Sequence, residues 1–168
     1  MPNLQNSRDT IEEKLKAMGL VLPPPVKAPA GVKLPFSWVR IWGNRAFISG
    51  HPPQNPDGTL AGPLGKVGAE VTLAEGYQAA KLTALSILAD LKRSLGNLER
   101  VKAWLRVFGM VNAAPGFTQL PAVINGFSDL ILELYGPDRG DHARSAVGLA
   151  ELPFNIPVEI EAEVEIIP

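Results

Sequence analysis

The 168-residue chain contains no cysteine, which excludes disulfides and thiolate metal sites and removes any argument for an oxidising compartment. Histidine is scarce. His51 and His142 stand far apart in the sequence, so no metal site is expected. Neither sign of charge is in excess: sixteen Lys and Arg against seventeen Asp and Glu leave a net charge of −1. With no basic cluster, the chain has no general attraction for nucleic acid or an anionic membrane. No apolar run approaches the roughly 20 residues of a membrane span. The first twenty residues, MPNLQNSRDTIEEKLKAMGL, are polar and carry acids, unlike a signal or transit peptide. These absences point to a soluble cytoplasmic protein.

The length is enough for one domain with its own core. A short helix is expected from Asp9 to Met18, with Asp9 and Glu12 as a capping box and Gly19 as its stop. VLPPPVKAPAG follows, and its prolines favour an extended linker. Residues 1–30 therefore read as an N-terminal extension docked on a main domain of residues 31–168. WVRIWGNRAFISG reads as a hairpin turning at Gly43-Asn44, and the Pro- and Gly-rich residues 51–68 as a long loop with a short strand near Thr59–Ala61.

The clearest helix runs from Thr72 to Leu95, capped by Thr72 and Glu75 and closed by Gly96. RVKAWLRVFGMV should be a strand with Val101, Ala103, Leu105 and Val107 on one face. A second helix is expected from Pro121 to Tyr135, ended by Gly136, and two more strands close the chain. The order strand, strand, helix, strand, helix, strand, strand implies an α+β domain with both helices on one face of a single sheet. The other face then needs cover. A second subunit is the natural solution, so a homo-oligomer is expected.

The last two strands, DHARSAVGLAEL and VEIEAEVEI, are expected to lie side by side. In the second, Val158, Ile160, Ala162, Val164 and Ile166 alternate with Glu159, Glu161, Glu163 and Glu165; Glu163 and Glu165 read as a solvated face. In the first, Arg144 shares a face with Ala146, Gly148 and Ala150. Small neighbours leave room beside the guanidinium for a planar anion held by two parallel bonds. The competing reading is an intersubunit salt bridge.

The run ARS at 143–145, the pair LP at 152–153 and VEIEA at 158–162 resemble the YjgF family, also called RidA or reactive-intermediate deaminases. The likeness extends through FISG at 47–50, the capped helix 72–95, VFGMV at 107–111 and NGFSDLILELYG at 125–136. It covers roughly residues 32–168. Residues 1–30 and the loop 51–65 look like those of a longer subgroup. The resemblance implies a chorismate-mutase-like α+β fold, a homotrimer whose sheets form a central barrel, and clefts between subunits. It implies hydrolysis of enamines and imines of the 2-aminoacrylate type to 2-keto acids and ammonia, with no cofactor.

By the same resemblance, Arg144 would clamp the substrate carboxylate and Glu159 would position water or shuttle a proton. Ser49, Gly50 and Asn125 would line the cleft. Phe36 stands where the family usually has tyrosine, and His51 where it usually has glutamine. His51 reads as a surface-loop histidine, with a local catalytic addition as the alternative. His142 reads as a connector between helix and strand, with tuning of the cleft as the alternative. The expected partners are a small 2-imino or 2-keto acid and further copies of the chain. The alternatives to deamination are a non-catalytic carboxylate-binding or regulatory member of the family and a ribonuclease or translation inhibitor. The balance of charge argues against the last.

Overall fold

The computed structural model describes residues 9–27 and 30–168. Residues 1–8 and 28–29 of the expected N-terminal extension, Pro29 among them, lie outside the described residues. Five strands form one mixed sheet: β1 Val39–Trp42, β2 Arg45–His51, β3 Val101–Asn112, β4 Ala143–Leu149 and β5 Val158–Ile166, in the spatial order β1-β2-β5-β3-β4. Only β3 and β4 pair in parallel. Among the described residues three α-helices accompany it: α1 Ile11–Ala17, α2 Leu73–Leu95 and α3 Leu120–Gly140. The α+β class with one sheet is as expected, but the last two strands are not neighbours. Parallel pairing of β4 to β3 needs the crossover that α3 supplies, and β5 takes the opposite edge of β3.

Both long helices cover the same face of the sheet. Ala80, Ala84, Ile87, Leu88 and Leu91 of α2 and Val123, Ile124, Phe127, Leu130 and Ile131 of α3 join Val107, Val111, Ile160 and Val164 in one buried cluster. Thr72 caps α2 through the expected reciprocal pair with Glu75, and Gly96 closes it at φ +88°. Helices α2 and α3 meet backbone to backbone: a Cβ added at Gly126 would collide with the Tyr77 carbonyl oxygen. Gly136, at φ +75°, ends the regular part of α3 where expected, and a further helical turn reaches Gly140.

Strand β3 departs from simple alternation. Its buried residues are Val101, Trp104, Val107, Gly109, Val111 and Asn112, whereas Ala103 and Leu105 are half-buried. Register irregularities between Val101 and Ala103 and between Trp104 and Arg106 shift the alternation there. The bulged stretch turns Trp104 inward onto Phe127 and Tyr135, at ring-centroid distances of 5.6 and 5.9 Å. Strand β5 keeps strict alternation, with its aliphatic residues buried and its four glutamates on the open face.

The first helix begins one residue later than its sequence suggests. Thr10, not Asp9, is its cap, and Glu13, not Glu12, completes the box. Glu12 instead accepts from Leu98 N–H at 2.9 Å, in the turn that precedes β3. Ile11 and Leu15 are buried. Pro23 and Pro24 lie outside any helix or strand, and their carbonyls accept from Arg93 and Gln54. The hairpin turns at Gly43, at φ +59°, while Asn44 keeps a negative φ. Positive φ only at the first central residue is the II′ pattern, which suits a right-twisted ribbon. Near Thr59–Ala61 the loop makes one isolated bridge, Gln54 to Leu60, not a strand.

Candidate functional site

Register fixes the side on which each candidate residue lies. Val107 pairs with Arg144 on one flank and Ala162 on the other, and all three face the helices. Met110 pairs with Val147 and Glu159, which face the open side. Arg144 and Glu159 therefore leave the sheet in opposite directions. The chain carries two separate groups of candidate residues.

The first group surrounds Arg144 on edge strand β4. Its Nη1 donates to Asn125 Oδ1 and to Ser128 Oγ, both at 3.0 Å. Asn125 and Ser128 lie three apart on α3 and so share a face. Nη2 lies 3.5 Å from the Pro121 carbonyl, a weak contact. No carboxylate forms an ion pair with Arg144 among the described residues. Burial pushes its pKa down from the ordinary value, Asp129 opposes that shift, and the guanidinium remains a cation. Sequence reasoning placed Arg144 and Asn125 here but missed Ser128, which the helical spacing from Asn125 could have shown.

The second group sits at the end of β2. Glu159 reaches across to Gly50 so closely that a Cβ there would collide with Glu159 Oε1. The register slips between Ile48 and His51, so Ser49 and Gly50 form an irregular step in the β2–β5 ladder. Ser49 Oγ donates to the Ser37 carbonyl at 2.7 Å. Phe36 meets Trp38 edge to face at 5.2 Å, and Trp38 packs on His51 at 4.9 Å. Burial raises the pKa of Glu159, and the charge of Glu161 adds to this. A carboxyl with a raised pKa holds its proton more readily, as a group that exchanges protons with substrate must.

The structure corrects the reading of His51. It is fully buried, at 0% exposure, and it ends a strand. Nδ1 lies 2.6 Å from the Ser49 carbonyl oxygen and Nε2 lies 3.0 Å from Asp90 Oδ2. Asp90 in turn accepts from Arg93 Nε and Nη2 at 2.9 and 2.7 Å. Both ring nitrogens are thus occupied behind the Ser49-Gly50 step, and His51 braces that step rather than facing a ligand. His142 does connect α3 to β4, and it also touches Ser128 at 2.9 Å.

Among the described residues two clefts stand out, the first of them bordering the second group at Ser49. One, of about 340 Å³, opens on the uncovered sheet face among Arg40, Phe47, Ser49, Phe108 and Glu161. The other, of about 570 Å³, lies between Lys66, Phe117, Leu120 and Gly148. Neither is lined by Arg144. Glu163 and Glu165 are committed to Arg45 at 2.7 Å and Lys102 at 2.8 Å. No group of three or more potential metal ligands occurs among the described residues, and no helix there is long and apolar enough to cross a membrane.

Residues 12–160 match a family model described as "YjgF/chorismate_mutase-like, putative endoribonuclease". Protein TCP17 of Trypanosoma cruzi is 42% identical over 124 residues, spanning 74% of this chain and 76% of that protein. A crystal structure of a protein of unknown function from Agrobacterium tumefaciens superposes with a TM-score of 0.82 at 39% identity, covering 94% of this chain and 92% of the other. A Shewanella oneidensis protein described as a "putative endoribonuclease" gives a TM-score of 0.84 at 33% identity, covering 94% and 100%.

Proposed function

The chain belongs to the YjgF/chorismate-mutase-like family, and we propose that it hydrolyses reactive 2-imino and enamine acids to 2-keto acids and ammonia. The observation that carries this reading is the state of Arg144. Its Nη1 end is held by α3, while no carboxylate among the described residues pairs with it. A small carboxylate bound at the free edge would receive two parallel charge-assisted bonds, each about 1.5–3 kcal/mol.

The chemistry asks little more of the protein. In a protonated 2-imino acid, C2 is already electrophilic. Water adds through its oxygen to C2, and Glu159 takes the proton that water releases. Glu159 returns that proton to the nitrogen of the resulting carbinolamine. The C2–N bond then breaks with its electron pair on nitrogen, and Glu159 accepts the hydroxyl proton as C2=O forms. The 2-keto acid remains, and the released ammonia takes the proton from Glu159 as ammonium, which restores the carboxylate. One such acid–base group typically contributes about 10²–10⁴ in rate, and holding the carboxylate and the water adds several kcal/mol more. Arg144 and Glu159 lie on opposite faces of one sheet, so this reading requires Arg144 of one subunit to meet Glu159, Gly50 and Ser49 of another. The uncovered face with Phe47 and Trp42, 42% and 71% exposed, supports such an assembly. A homotrimer is the arrangement we propose.

The test is to generate imines in situ with an amino-acid oxidase and measure release of keto acid. Wild type should accelerate it and Arg144→Ala should not; equal rates would defeat the assignment. Phe36 favours a second reading, a carboxylate-binding module without turnover, because it brings no hydroxyl to the cleft. Binding without acceleration would select that reading. The four glutamates on the open face of β5 weigh against RNA as the ligand.

A further inference from the structure

We propose that His142 and Ser128 form a fixed hydrogen-bond relay that orients the Arg144 guanidinium and leaves its Nε–Nη2 edge for the ligand. This deepens the carboxylate-binding reading of Arg144 and rests on it for its functional part. The direction of each bond follows from what its partners are able to do. His142 Nδ1 lies 2.7 Å from the Gly140 carbonyl oxygen, which only accepts, so Nδ1 carries the proton. In the neutral ring Nε2 is then an acceptor. Ser128 Oγ, 2.9 Å away, must donate to it. With its own proton committed, Ser128 presents its lone pairs to Arg144 Nη1 at 3.0 Å.

Three features make the relay rigid. Ser128 is buried, at 8% exposure, on the inner part of α3. The imidazole stands edge-on against Phe127, with 6.2 Å between ring centroids and 88° between planes. Asn125 Oδ1 takes the second Nη1–H at 3.0 Å. Both hydrogens on Nη1 are therefore used, and Nη2 makes only the long contact to Pro121. Of the five guanidinium donors, Nε–H has no partner among the described residues, and Nη2 has none closer than the 3.5 Å contact to Pro121. Nε–H and the Nη2–H beside it point the same way and match the spacing of a carboxylate. His142 is thus a positioning residue acting through Ser128. It is not the plain connector that its place between α3 and β4 suggests.

Nitrogen-15 NMR of the full-length protein tests the relay without any substrate. His142 should show the Nδ1–H tautomer, and the Arg144 Nη protons should give separate, slowly exchanging signals. In Ser128→Ala those Arg144 signals should average, and the dissociation constant for pyruvate, a non-reacting probe, should rise about tenfold for the one bond lost. An Nε2–H tautomer at His142 overturns the relay. So does unchanged Arg144 averaging and pyruvate binding in Ser128→Ala. If the tautomer and Arg144 signals behave as stated but wild type does not bind pyruvate, the relay stands and the carboxylate reading of Arg144 fails.

Discussion

Arg144 and Glu159 point away from each other, one toward α3 and one onto the bare face of the sheet, although only strand β3 separates their strands. On the proposed reading, one copy of the chain holds two half-sites. The arginine half would supply the anion-binding donors, and the glutamate half, with its tight Gly50 contact, the acid–base group.

Arg144→Lys tests the forked geometry rather than the charge. An ammonium keeps the cation but offers one directed bond where the guanidinium edge offers two. Loss of one charge-assisted bond predicts a fall in kcat/KM of about 10- to 100-fold on imines of 2-amino acids. A neutral imine without a carboxylate should show no such difference between the two proteins.

Gly50→Ala should separate fold from function. The Gly50 backbone does not occupy the left-handed region, so alanine is compatible with it, and what the new methyl meets is the flexible end of Glu159. Thermal stability should stay close to wild type. Displacing the carboxylate by about 1 Å should lower kcat by about 10²-fold. A fully active Gly50→Ala protein would show that the position of Glu159 is irrelevant to turnover.

Glu159→Gln carries a linkage prediction. Burial raises this carboxyl in the folded state. Such a group favours folding when protonated, and that contribution is lost as pH rises through the raised value. At pH 8 the ionised side chain therefore costs stability, and the glutamine variant should melt at the same or a higher temperature. Its deaminase rate should fall by about 10²–10⁴. Melting curves across pH, paired with rates, check both halves.

Asp90→Asn bears on the brace behind the site, with the opposite sign. Burial alone would raise the Asp90 carboxyl, but hydrogen bonds from His51 and Arg93 outweigh it and hold the group below its ordinary value. Its stabilisation is full above the unfolded carboxyl's value and is lost as pH falls through the lowered folded value. Removing it leaves His51 and Arg93 without their shared anion, at a cost of about 3–5 kcal/mol near neutral pH. The gap between wild type and variant should narrow in acid below about pH 4. Denaturant titrations at pH 7 and pH 3 measure this.

Local signals in the sequence proved strong where one residue decides the outcome. Thr72 with Glu75, Gly96, Gly136 and the alternation of β5 were legible because caps, positive φ and the two-residue period act within a few residues. The inward turn of Trp104 was not, because bulges in β3 arise from pairing with a strand sixty residues away. The separation of β4 from β5 was hidden for the same reason. His51 looked exposed because it precedes Pro52 and Pro53 in a loop-like composition. Its burial depends on Asp90, which comes from a helix remote in sequence. Asn125 and Arg144 were found together, but the faces on which Arg144 and Glu159 lie became clear only from the strand register.

The most direct measurement of the account is complementation between two inactive proteins. Arg144→Ala and Glu159→Gln are each purified alone as controls, and are also co-expressed with distinct tags so that mixed oligomers are isolated. If each site joins Arg144 of one subunit to Glu159 of the next, isolated mixed trimers recover activity, up to about a third of wild type, since one of the three sites in either mixed ring is intact. Mixed oligomers that form but stay as inactive as either parent contradict a shared site between subunits.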